Sequence, residues 1–129
     1  MAGKRYANPM RIPPEEFDSL VEQALDGLPE EFADLLDNVA VMVEEEPDPA
    51  VIESLGLDPD RSTLLGLYQG VPQPRRDTYY SALPDRVTIY RGPILRHCRD
   101  RRDVIRQVRD TVVHELGHHF GLGDGEMPY

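Results

Sequence analysis

Two imidazoles and a carboxylate are gathered near the C-terminal end of the sequence, in the string His114-Glu115-Leu116-Gly117-His118. Side chains four residues apart on an α-helix project from one face, so His114 and His118 can both reach one tetrahedral ion. Glu115 stands beside the first imidazole, where its carboxylate can lean over an attacking water instead of joining the ion, which is the position of a general base. A zinc ion needs a third protein ligand if its fourth position is to stay open, and a straight helix cannot offer one a few residues past His118. Gly121 permits the unusual backbone that ends a helix, and Asp124, three residues on, can swing back with a carboxylate oxygen. The expected ligands of one Zn2+ are therefore His114, His118 and Asp124, with Glu115 as the base. A bare HExxH string arises by chance in many proteins; the helix, the glycine turn and the acidic third ligand make this one more specific.

These residues need a helix to carry them. From about Asp100 to Phe120 the apolar residues Val104, Ile105, Val108, Val112, Val113 and Leu116 recur at helical spacing, and Gly121 ends the run as a C-terminal glycine does. Upstream, Asp85-Arg86-Val87-Thr88-Ile89-Tyr90-Arg91 alternates polar with apolar residues and stops at Gly92-Pro93, which predicts a half-exposed strand. Val39–Val43 is rich in β-branched residues and predicts a buried strand, with Glu44-Glu45-Glu46-Pro47-Asp48 as its solvated exit. Phe17, Leu20, Val21, Ala24, Leu25 and Leu28 predict an amphipathic helix over Glu15–Leu28, and Phe32, Leu35 and Leu36 a short second helix or turn. Between Asp48 and Pro84 proline, glycine and aspartate are dense, with Leu64–Tyr68 the one clear apolar stretch, so that region reads as turns, one short helix and a strand. The expected organisation is a flexible segment, 1–14, followed by one domain, 15–129.

Composition narrows the partners. Twenty-four acidic against fourteen basic side chains give a formal charge of -10, which repels phosphate backbones and anionic lipid, so neither nucleic acid nor a membrane surface is expected. The basic start Met1-Ala2-Gly3-Lys4-Arg5 is followed by no long apolar run, so no signal peptide or membrane span is read and the cytoplasm is the expected compartment. A lone Cys98 forms no internal disulfide and reads as an inert thiol.

The string His114-Glu115-x-x-His118-x-x-Gly121-x-x-Asp124 resembles the extended zinc motif of metzincin-like zincins in the variant with Asp as third ligand. Thr111–Leu122, together with Leu64-Leu65-Gly66-Leu67-Tyr68-Gln69-Gly70-Val71-Pro72 and Asp85–Tyr90, is similar to small bacterial zincin-like proteins with a minimal metalloprotease fold. The resemblance implies an α+β fold: a small mixed sheet packed on helices, a long C-terminal zinc-binding helix, and an edge strand on which an extended peptide could add. Asp85–Arg91 is the expected edge. The sequence stops at Tyr129, so a cleft without the C-terminal subdomain and methionine turn of larger metzincins is expected, and Met127 lies too close to Asp124 to stand in for that turn.

Two functions fit these readings. One is zinc-dependent hydrolysis of peptide bonds in a peptide or protein substrate; the other is a non-catalytic zinc-containing module that binds peptide or protein. Glu115 favours the enzyme, because a structural zinc site needs no base. His119 lies one position off the ligand face and reads as a packed helix residue; His97 reads as a loop histidine. Tyr90, Tyr79 and Tyr80 carry phenols that could face an oxyanion, but packing with a wet tip is the reading given to them.

Overall fold

The structure, a computed structural model, describes residues 11–70 and 84–121. Proline presets φ for a first helical turn, and α1 (Pro14–Asp26) begins on one, with Glu15 and Glu16 at its positive end and Phe17, Leu20, Val21 and Ala24 buried. Of the lead-in ahead of it, Ile12 is buried in the core. A second short helix, α2 (Glu30–Leu36), inserts Phe32. After it come β1 (Val39–Glu44), α3 (Pro49–Ser54) and β2 (Gly66–Gln69), then β3 (Asp85–Tyr90), α4 (Arg91–Arg96) and α5 (Arg101–His119).

The architecture is mixed α+β, a three-stranded sheet of order β1-β3-β2 backed by helices. β1 runs parallel to β3, with Val39 opposite Asp85 and Glu44 opposite Tyr90. β2 is antiparallel to β3, with Tyr68 opposite Val87. Helix α5 packs on α1, β2 and β3, and its Val104, Val108, Val112, Val113 and Leu116 are fully buried. Each such side chain contributes roughly 1.5–3 kcal/mol by leaving water. Among the described residues no helix is long and apolar enough to cross a membrane.

Two expectations are corrected. Asp85–Tyr90 is the central strand, and the edge strand packed against α5 is β2. The alternation misled because Thr88 and Tyr90, whose polar atoms suggested a wet face, are only 2% and 3% exposed; both faces of β3 are covered. Conversely β1 is a sheet edge of intermediate exposure, with Met42 45% exposed, where a buried strand was expected. β3 ends at Tyr90, just ahead of Gly92-Pro93 as read, and the pair lies in the first turn of α4, where proline's missing N–H costs nothing. A Cβ on Gly92 would stand 2.5 Å from Glu46 Oε1 and 2.9 Å from the Glu45 carbonyl oxygen, so glycine lets α4 start against the strand exit. That exit is also ion-paired, Glu45 to Arg91 and Glu46 to Arg96. Such partly exposed pairs are each worth about 0–1 kcal/mol.

The start of α5 is fixed by two aspartates. Asp100 caps it by accepting the Asp103 N–H at 2.9 Å, and Asp103 accepts the Arg99 backbone N–H at 3.0 Å. Asp103 also pairs with the guanidiniums of Arg99 and Arg106. The Arg99 N–H, then the Arg99 side chain, hold the Asp103 carboxyl below the usual aspartate range. A carboxyl whose folded pKa is depressed stabilises the fold above its unfolded value, about 3.9, and that stabilisation disappears as pH falls through the lower folded value. Asp103→Ala is expected to cost about 1–3 kcal/mol at neutral pH and progressively less as pH falls below the unfolded value of about 3.9, which urea unfolding across that pH range measures.

Candidate metal centre

The last two turns of α5 carry the motif. Beyond His119 the helix is closed by Phe120, whose N–H reaches the Leu116 carbonyl at 3.0 Å, and by Gly121 at φ 79°. That left-handed backbone is the helix-ending geometry the sequence assigned to Gly121. His114 and His118, one turn apart, have ring centroids 6.1 Å apart and planes inclined at 56°. His114 is half-buried and His118 exposed.

Glu115 is drawn toward the sheet. Its Oε1 accepts the backbone N–H of Tyr68 in β2 at 3.0 Å, so one oxygen of the candidate base is fixed by the sheet edge. The helix comes this close because Gly66 has no side chain: a Cβ there would stand 2.6 Å from Thr111 Cγ2 and 3.0 Å from the Thr88 carbonyl oxygen. Tyr68 makes a second link. Its ring stacks on His119 at 3.8 Å between centroids and 16° between planes, and its hydroxyl donates to Asp85 Oδ2 at 2.7 Å. Phe120 packs edge-on against both rings. Burial first, and then the Asp85 carboxylate, push the Tyr68 phenol up to about 12.

Metal fit can be judged on His114. Its Nδ1 is buried and has no hydrogen-bond partner among the described residues, and an unsatisfied buried polar atom costs about 1–3 kcal/mol. An imidazole pair on one helix face, one ring carrying such a nitrogen, is a donor set suited to zinc. The residues present fit that ion as two of its ligands. Among the described residues no group of three or more His, Cys, Asp or Glu is placed to hold a metal, and Asp124, the third ligand read in the sequence, lies outside the described residues, as do Tyr79, Tyr80 and Met127.

The other candidates are accounted for by packing. His119 lies against Tyr68, with its Nε2 3.9 Å from Asp85 Oδ2. His97 closes α4, its Nδ1 2.8 Å from the Pro93 carbonyl oxygen. Tyr90 is buried, and burial, then the nearby Glu44 charge, raise its phenol pKa. Cys98 is buried in the core, where its thiol is pushed up to about 12 by burial; it is inert, as read. Tyr68 and Asp85 were missed as site residues. Tyr68 stands in the one apolar stretch between Asp48 and Pro84, but nothing in its spacing points to α5.

The family model for a zincin-like metallopeptidase matches residues 36–129. The chain belongs to that family. Among solved structures it is similar to a conserved hypothetical protein from Thermo thermophilus, with 27% identity and a TM-score of 0.54, over 84% of this chain and 94% of that one. A search of curated proteins finds no significant match. The zincin-like expectation from the motif thus agrees with the family, and the mixed sheet with a long C-terminal helix agrees with the fold.

The Tyr68 phenol gives the site a spectroscopic handle. Because its folded pKa lies above the unfolded value, stability should fall as pH rises past about 10. In an ultraviolet titration of the folded protein, Tyr68→Phe should remove a late-ionising phenol and leave the earlier part of the curve in place.

Proposed function

We propose that the chain is a zinc-dependent peptidase in which His114, His118 and Asp124 hold the ion and Glu115 is the general base. The observation that carries this reading is the position of Glu115: it lies between the two imidazoles in sequence, with one carboxylate oxygen tied to the edge strand. Bound zinc would supply Lewis acidity toward a carbonyl and bring the pKa of a water toward about 7. Glu115 takes the attacking water's proton and returns it to the leaving amine. The Tyr68 N–H fixes the carboxylate's aim, so less reorientation is needed during the proton transfer. The outer edge of β2 is the place where an extended peptide adds main-chain hydrogen bonds, and it replaces Asp85–Arg91 in that role.

One observation favours the second reading, a zinc-containing binding module. Glu115 also joins α5 to β2, so the residue has structural use whether or not it is a base. The two readings separate on Glu115→Gln. The amide oxygen can still accept the Tyr68 N–H but the side chain cannot take a proton, so zinc content and unfolding midpoint should hold while peptide cleavage falls about 10²–10⁴-fold. Cleavage at the parent rate by the variant, at matched zinc, eliminates Glu115 as base; no cleavage of a broad peptide library by the zinc-loaded parent favours the module.

His114→Ala and His118→Ala should each release zinc during dialysis against a mild chelator, because each removes a nitrogen ligand. A smaller loss is expected for Asp124→Ala, where water can replace the carboxylate oxygen. Stoichiometric zinc retained by both histidine variants would rule out this site.

A further inference from the structure

Three side chains from three elements meet at the C-terminal end of α5: Asp85 at the start of β3, Tyr68 in β2 and His119 in the last turn of the helix. None of them is read as a zinc ligand or as the base. They are nonetheless joined in series. Asp85 holds the Tyr68 hydroxyl at 2.7 Å, the Tyr68 ring lies flat on His119, and Phe120 closes the stack edge-on. His118 is the neighbour of His119 in that same turn, and the Tyr68 backbone N–H holds Glu115.

The last turn of a helix is its weakest part. Its carbonyls lack helical partners, and frayed ends open at little free-energy cost. His118, His119 and Phe120 are all exposed. A contact from outside the helix that holds this turn also limits how far His118 moves from His114. Stacked rings attract beyond the effect of their buried area, which opposes fraying of the turn, and the hydroxyl bond to Asp85 restricts the ring's sliding.

We propose that Tyr68 and Asp85 are positioning residues for the metal centre: through His119 they hold the last turn of α5, and so His118, in register with His114. The proposal rests on the zinc reading above. It makes the sheet edge a working part of the ligand set, because Tyr68 orders Glu115 through its backbone and His118 through its ring. Phenol ionisation plays no part, since the hydroxyl acts here only as a donor.

The test compares Tyr68→Phe, Asp85→Ala and Tyr68→Ala with the parent. Tyr68→Phe and Asp85→Ala both cut the hydroxyl bond and keep the stack; Tyr68→Ala removes both. Zinc affinity, read by competition with a chromophoric chelator, should weaken about 10-fold or more in Tyr68→Ala and by less in the other two. In the metal-free protein, amide hydrogen exchange should quicken at 116–120 in the same order while 104–112 keep the parent's rates. Unchanged exchange at 116–120 in Tyr68→Ala overturns the proposal. So does exchange that quickens evenly along α5, since that marks general loss of stability. If Tyr68→Ala does not fold, Tyr68→Phe and Asp85→Ala decide, and parent-like zinc affinity and exchange in both overturn it. A parent that binds no zinc refutes the zinc reading, and with it this role in ordering the ligands, whatever the exchange arm shows. A parent that binds zinc, with variants that keep its affinity, refutes the positioning role alone.

Discussion

The distance between α5 and β2 governs most of what the molecule can do. It is set at Gly66, where Thr111 Cγ2 occupies the space that a side chain would need. One turn further along the helix, the same close approach lets Glu115 reach the Tyr68 N–H, and one turn beyond that the Tyr68 ring meets His119. Thr111, Glu115 and His119 are spaced by four, so they form one stripe along α5 that meets the edge strand at Gly66 and Tyr68. A bulkier residue at position 66 would lift the helix and loosen the two later contacts together, without touching His114 or His118.

The opposite side of α5 supplies the rigidity that this alignment needs. Its buried valines and Leu116 lock the helix onto α1 and the sheet, and the Asp100 and Asp103 caps hold its first turn. The helix is therefore anchored by packing along its length and by charge-assisted hydrogen bonds at its start. Its far end has the aromatic contacts and Gly121. A site built at such an end inherits precision from the buried part and exposure from the tip.

What could be read in the sequence follows from how local each signal is. Helix α5 was legible because its apolar period and terminal glycine lie within about twenty residues, and helix rules act on that scale. β3 was located correctly but assigned the wrong place in the sheet, because alternation reports side-chain chemistry and Thr88 and Tyr90 are buried all the same. α4 was invisible, since Gly92-Pro93 reads as a turn until the backbone of Glu45 is seen against it. The tie between Glu115 and Tyr68 spans 47 residues and uses a backbone N–H, which every residue but proline possesses. No side-chain pattern could have announced it.

The sheet order has a consequence for how the chain folds. Among the described strands, β1 and β2 are successive yet do not pair with each other; each pairs with β3, the last of the three to be made. No hairpin between neighbours β1 and β2 can serve as a first step for this sheet, and the β1 to β3 register joins residues 46 apart, such as Val39 and Asp85. The entropy of closing such loops comes before the contacts that repay it, which slows formation and leaves strand edges open meanwhile. A ribosome-bound chain must therefore expose β3 before its sheet can exist, while α1 and α2 are free to form well before the strand that organises everything around them.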